Sequence, residues 1–270
     1  MSNDNSDTLD KLRILRTEWS DCDRCDLCSN RVDPDTEEVD NSFQMYPYVG
    51  EYAAEGHTAL MIVVGEYDAE FMYESPMECN TSLPVEFIGE VLDVHQGYIV
   101  VTTATLCPTK LPQHGRFRTY DRTEMIDAPK AKALAACLPR LLEEISIFRP
   151  KMVLVMGTRA YATLVKRTKG NYQVSGMIPL NYKWALGQML YCEVPGTWLS
   201  DVSRATFLQP VVAIPGYWEL NRREDVQNPE GLWATMYKYL ERAMRVENFL
   251  SRVEGGEITT AAEAEEVLNE

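Results

Sequence analysis

Ala59-Leu60-Met61-Ile62-Val63-Val64-Gly65-Glu66 is an almost unbroken apolar run that stops at a glycine and a carboxylate. Apolar residues at successive positions, rather than alternate ones, suit a parallel strand covered on both faces. Two runs further along have the same character: Tyr98-Ile-Val-Val-Thr-Thr103, and residues 150–156 (PKMVLVM), after which Gly157-Thr158 opens a helix through Leu164-Val165. Residues 188–194 (QMLYCEV) and 210–214 (PVVAI) are the remaining strand candidates. Helical spacing fills the intervals. Residues 8–20 place Leu9, Leu12, Leu15 and Trp19 on one stripe with Thr8 as a cap. Residues 83–95 carry Val85, Ile88, Val91 and Leu92. Residues 128–148 form a helix that Pro139 is expected to kink or break. A last helix runs through 229–252, with Pro229 near its start.

Strands alternating with helices predict an α/β fold: a doubly wound, mainly parallel central sheet with helices on both faces. Ligands bind such sheets outside the carboxyl ends of the strands. Four segments fall there: Gly65-Glu66, Thr103 to Cys107, Gly157-Thr158 and Ile214-Pro215-Gly216-Tyr217.

Composition narrows the class. The chain of 270 residues is 45% hydrophobic and 25% charged, ordinary for a globular protein. It has no apolar run of the roughly 18 residues that a transmembrane helix needs, so no membrane partner is expected. The acidic, polar N-terminus is unlike a signal peptide, and seven cysteines fit a reducing compartment better than a disulfide framework. A cytoplasmic location is the expectation. The net charge of −15 disfavours generic polyanion binding, yet it is uneven: residues 1–40 carry −7, residues 247–270 carry −6 and residues 103–169 carry +8. The basic middle focuses an anionic ligand locally or is a solvated face. Residues 1–7 read as a disordered acidic N-terminus, 8–250 as one domain with a basic insert at 108–130, and 251–270 as an acidic tail.

Cysteines supply the chemistry. Cys22-Asp-Arg-Cys25-Asp-Leu-Cys28-Ser-Asn-Arg31 puts thiols at a two-residue spacing, and Cys107 and Cys137 stand mid-chain. Such a pattern is a standard way to hold a metal group between distant parts of a chain.

In this order the motifs resemble the iron–sulfur branch of the uracil-DNA glycosylase superfamily, commonly called family 4. That family's C-x-x-C-x-L-x-x-x-R opening is matched by Cys22 to Arg31, and its G-x-G-like turn by Gly50-Glu-Tyr. Its strand ending G-E-A-P-G is matched by Val64-Gly65-Glu66-Tyr67-Asp68-Ala69. Its I-T-N-x-x-K-C-R-P is matched by Val101-Thr-Thr103-Ala-Thr-Leu-Cys107-Pro108. Its C-x-P-x-L and R-P-K strand correspond to Cys137-Leu-Pro139-Arg-Leu141 and Arg149 to Gly157, and its H-P-S to Ile214-Pro215-Gly216. The resemblance covers roughly residues 9–245. It implies a [4Fe–4S] cluster on Cys22, Cys25, Cys107 and Cys137; a Zn²⁺ site of the same ligand type is the alternative. Cys28 is then a spare or a substitute ligand, and Cys79 and Cys192 are core thiols.

The same resemblance shows where the chain departs from its family. Glu66 keeps a carboxylate at the crevice and, with Asp68, is the candidate for positioning water. Gly65, Tyr67, Thr103, Gly157, Pro215 and Tyr217 are the candidate substrate-binding residues. The base-reading Asn of the family aligns with Thr103, a single hydroxyl in place of a two-point amide. The leaving-group His aligns with Ile214, which donates nothing. Losing one such donor typically costs about 10²–10³ in rate. Of the three histidines, His57 and His95 fall away from the crevice, and His114 lies in the basic insert. Two readings follow. One is a divergent superfamily member that binds DNA or a replication or repair partner, as in some viral (phage-like) replication machinery, with uracil excision lost and Arg116, Arg118 and Arg122 as DNA contacts. The other is an active glycosylase acting on uracil or a modified base in DNA.

Overall fold

A computed structural model describes residues 5–31, 44, 46–65, 88–107, 131–166, 182–196, 207–216, 234, 237–242 and 245. Among these, six strands form one mixed sheet: β1 (Tyr48–Val49), β2 (Leu60–Val64), β3 (Ile99–Thr103), β4 (Met152–Met156), β5 (Met189–Val194) and β6 (Phe207–Ile214). The order across the sheet is β1-β3-β2-β4-β6-β5. The inner four run parallel, in register from Leu60 opposite Ile99 and Met152. β1 and β5 close the two edges antiparallel. All five residues of β2, β3 and β4 are buried, as their continuous apolar character requires of strands covered twice. β5 instead alternates half-buried and buried residues, the pattern of an edge strand with one face on the core. The expected α/β architecture is therefore present.

Period-two alternation divides the core into two layers. Met61, Val63, Val100, Val153, Val155, Val211 and Ala213 face one side, where they meet α1 (Asn5–Trp19), α3 (Ala131–Phe148) and α4 (Gly157–Tyr161). Leu60, Ile62, Val64, Ile99, Val101, Leu154, Val212 and Ile214 face the other, against Ile88, Leu92 and Leu240. Short helices α2 (Glu51–Ala54) and α5 (Tyr182–Ala185) complete the described elements of the first layer through Ala53 and Ala185. No described helix is long and apolar enough to cross a membrane.

Several local expectations are corrected. α1 starts at Asn5, so Thr8 lies inside the helix and cannot cap it. Its buried stripe is Thr8, Leu12, Leu15 and Trp19, while Leu9 is 49% exposed; a helix of 3.6 residues per turn brings position 8, not 9, above 12. The helical turn at 88–91 stops short of residue 95. Asp93 takes a left-handed φ of 53°, and the Asp93 and Val94 N–H groups donate to Glu90 O (3.2 Å) and Gly89 O (2.8 Å). That is a Schellman ending with Asp in the position glycine usually holds. Tyr98 belongs to a 3-10 turn (Gln96–Tyr98) ahead of β3 rather than to the strand. Pro139 neither ends nor interrupts α3. The missing N–H and ring clash it imposes cost about 3 kcal/mol; burial of Cys137, Arg140, Leu141, Glu144, Ile145 and Phe148 along one stripe offsets that. The helix after β4 is α-helical only to Tyr161 and continues as a π turn over Ala162–Lys166. Most of the residues expected to form the final helix lie outside the described residues; 237–242 are helical.

Candidate functional site

The sheet order fixes where a ligand site can form. From β2 the chain moves outward to β3, then returns to β4 on the other side of β2, and continues outward to β6. The reversal lies between β2 and β4, and it is outside the carboxyl ends of such strands that sheets of this kind form a ligand crevice. Gly65 stands there, half-buried. A Cβ on it would lie 3.0 Å from Arg159 Cβ and 3.1 Å from the Ala160 nitrogen, so any side chain there would push against α4 and glycine lets the strand end lie close to it. Gly157 opens α4 with φ of 88°, a left-handed value that again favours glycine. Thr103 and Pro215 end β3 and β6 at the same edge, both buried. The structure thus brings Gly65, Thr103, Gly157 and Pro215 to one edge. Glu66, Tyr67, Asp68, Tyr217, Arg116, Arg118, Arg122 and His114 lie outside the described residues.

Two crevice positions are committed to the fold. Thr103 Oγ1 donates to Thr105 O at 2.6 Å, which leaves its lone pairs but no proton for a ligand. Ile214 is fully buried in the same apolar layer as Val64 and Met156. His57 is exposed just ahead of β2, at the opposite end of the sheet. His95 is exposed at the start of β3's leading turn, its Nδ1 accepting from Gly97 N–H at 3.0 Å.

Beside the crevice is a cysteine corner. Cys22 and Cys25 follow the end of α1, where Cys22 N–H donates to Trp19 O (3.2 Å), and Cys28 N–H donates to Cys25 O (3.1 Å) in a 3-10 turn (Asp26–Arg31). Cys107 follows β3 and Cys137 lies on α3. The Cys25 and Cys137 side chains lie within hydrogen-bonding reach of each other. A bond shared between them raises the Cys25 pKa and lowers that of Cys137 to about 6. Burial opposes the second shift, and the Arg140 guanidinium and Leu106 N–H favour it. Cys107 is close enough to Cys25 to raise its pKa further. Cys22 and Cys137 share an apolar cluster with Leu15, Trp19 and Leu106. Cys28 is half-buried next to this corner, and Cys192 is a buried core thiol in β5. Cys79 lies outside the described residues.

Thiols are the donors that iron–sulfur and zinc sites use; here Cys25 approaches Cys137 and Cys107, and Cys22 packs against the cluster that holds Cys137. Two buried groups near it, Thr105 Oγ1 and Arg140 Nε, have no hydrogen-bond partner among the described residues. Thr105 precedes Cys107 by two residues and Arg140 follows Cys137 by three. Among the described residues, no three His, Cys, Asp or Glu side chains are set to hold a single ion as they stand.

A polar network between corner and crevice escaped the sequence reading. Arg140 is 1% and Glu144 2% exposed. Arg140 Nη1 donates to Glu144 Oε1 (2.6 Å) and Thr102 Oγ1 (3.2 Å), and Nη2 donates to Thr103 O. Thr102 Oγ1 in turn donates to Glu144 Oε2 at 2.7 Å. An Arg–Glu pair four apart reads as a surface ion pair. Its position on α3's buried stripe was the signal that it is not one. Gln44 was missed as well: its buried Nε2 donates to the Trp19 and Ser20 carbonyls (2.9 and 3.0 Å), closing the carboxyl end of α1.

The family model of the uracil DNA glycosylase superfamily matches residues 84–226, more than half of the chain. The chain belongs to the uracil DNA glycosylase superfamily. In this superfamily member the matched span takes in β3, Cys107, α3 with Cys137, β4, β5 and β6. β1, β2, Gly65, Cys22 and Cys25 precede it. No curated protein matches the chain.

Proposed function

We propose that this superfamily member is a divergent iron–sulfur protein that binds DNA or a replication or repair partner and has lost uracil excision. Ile214 carries the loss. By the resemblance it occupies the position of the family's leaving-group donor, and its side chain is part of the apolar core. Thr103 adds to it, because its only proton is given to Thr105 O. Without a donor for charge building on the departing base, and without a two-point reader of the base edge, both rate and specificity fall. Superfamily membership supports DNA as the ligand.

Cys22, Cys25, Cys107 and Cys137 are the proposed ligands of a [4Fe–4S] cluster, with Zn²⁺ as the alternative. The cluster would tie α1 to β3 and α3 as a structural clasp. The chain's own residues set the environment: Leu15, Trp19 and Leu106 exclude water, and the Arg140 charge favours the thiolate at Cys137.

Absorbance, iron and sulfide content of freshly purified protein test the clasp; a colourless, metal-free and folded protein would sink it. Glycosylase assays on single- and double-stranded DNA carrying uracil, hypoxanthine or modified pyrimidines test the reaction. The expected outcome is no abasic product. Abasic product that disappears with Glu66→Ala would instead establish the enzyme reading. DNA affinity that is salt-dependent and drops when Arg116, Arg118 and Arg122 are neutralised supports the DNA ligand; stoichiometric co-purification of a protein supports a partner.

A further inference from the structure

We infer that Trp184 is a stacking platform for an unpaired base of single-stranded DNA, a site that rests on the DNA-binding reading above. Trp184 is 73% exposed, the most open of the large apolar side chains among the described residues, whereas Trp19 is 5% exposed. Single exposed apolar residues are ordinary on a protein surface, but a tryptophan left in water forgoes one of the largest burials a side chain offers. The backbone beneath this one sets it apart. It lies on α5, and the residues that follow are tied down. Ala185 is fully buried in the first core layer, Leu186 bridges to Ala213, and Gly187 N–H donates to Ala213 O at 2.8 Å. Gln188 N–H donates to Ala185 O (3.0 Å), and Arg242 Nη1 donates to Leu186 O (3.4 Å). Gly187 has φ of 70°, and a Cβ there would lie 2.6 Å from Arg242 Cδ, so residues 239–242 press on the turn. The indole is thus held in solvent by a fixed backbone at the carboxyl end of β6, the sheet edge where Gly157 and Pro215 also stand. A rigid aromatic of this kind gives contact area at low entropic cost.

Charge selects the occupant. Residues 145–192 carry seven Lys and Arg and not one Asp or Glu, in a chain of net charge −15. Trp184 lies within that stretch, next to exposed Lys183. Arg159, half-buried on α4, is at the same sheet edge, and the segment pressing on Gly187 adds Lys238 and Arg242 against Glu241. A flat aromatic face among cations fits a base and the phosphates on either side of it, since every base has a π-face and every phosphate a negative charge. A duplex hides those faces, so the single strand is the form taken. An apolar protein segment would need apolar neighbours around the indole, and its neighbours in the chain are exposed Lys183 and buried Ala185.

Binding of a labelled single-stranded oligonucleotide of about 20 nucleotides to the full-length protein tests the platform, beside an abasic strand of equal length and the matching duplex. Trp184→Ala is expected to weaken binding of the base-bearing strand by about tenfold or more, and Trp184→Phe, which keeps an aromatic face, by about threefold or less. The slope of log affinity against log salt is expected to hold its wild-type value in both, because no charge is removed. On the abasic strand, wild type and Trp184→Ala are expected to agree within about twofold. If Trp184→Ala does not fold, Trp184→Leu takes its place, apolar but without a π-face. Wild type that binds neither single strand nor duplex removes the DNA reading and this site with it. Wild type that binds duplex but not single strand overturns the site alone. So does equal binding of the base-bearing strand by wild type and Trp184→Ala, or an equal loss on the base-bearing and abasic strands.

Discussion

Cys137 and Cys28 are both thiols near the corner, but only Cys137 lies on a helix that also faces Cys25. On the proposed cluster, Cys137→Ser is therefore expected to abolish the absorbance and Cys28→Ser to leave it intact; iron-to-protein ratios decide. Ile214 is a sharper case. Restoring the family residue, Ile214→His, is not expected to restore excision, because the side chain enters the apolar layer with Val64 and Met156. The buried imidazole lacks a partner there, and the variant should lose about 2–4 kcal/mol in urea unfolding. Glu143 gives a pH test. Burial, then the neighbouring charge of Glu18, raises its pKa, so its charged form is disfavoured in the fold. A raised carboxyl pKa adds stability at low pH that is lost as pH rises through the folded value. Glu143→Gln should therefore be more stable than wild type at pH 7, with the difference closing near pH 4.

Among elements, α3 bears the heaviest demand: it carries Cys137, the buried pair Arg140–Glu144 and a proline in mid-helix. Pro139 is exposed, so Pro139→Ala removes a backbone defect without opening a cavity. Its unfolding free energy should rise by about 1–3 kcal/mol. The same helix shows why part of the site was legible and part was not. Strands β2, β3 and β4 announce themselves because burial on both faces leaves no room for polar residues. The corner was legible through the spacing of Cys22 and Cys25. Arg140, Glu144 and Thr102 were not, since charge in a sequence signals exposure unless its partner is known. Nor does an apolar run such as 210–214 state its pairing: β6 begins at Phe207 because antiparallel β5 extends it, and that register is tertiary. Pro139 misled because local propensity was outweighed by the packing of a whole stripe.

For the molecule as a whole, the proposed clasp would join α1 to β3 and α3 near the centre of the chain. On the proposed cluster, stripping the bound group should lower Tm by roughly 10 °C, at ~2–4 °C per kcal/mol for a domain of this size. Thermal melts with and without chelator measure it, and equal melting would leave the corner without a stabilising ligand. One feature of α1 also bears on biosynthesis. Its stripe of Leu12, Leu15 and Trp19 is covered by residues from α3 and the turn after β3, on the order of 100 residues later. At about 5–20 residues per second, a ribosome leaves that stripe and two thiols waiting for roughly 5–20 seconds. α1 is thus made well before the helix and turn that cover it, and its stripe is buried only once α3 has emerged.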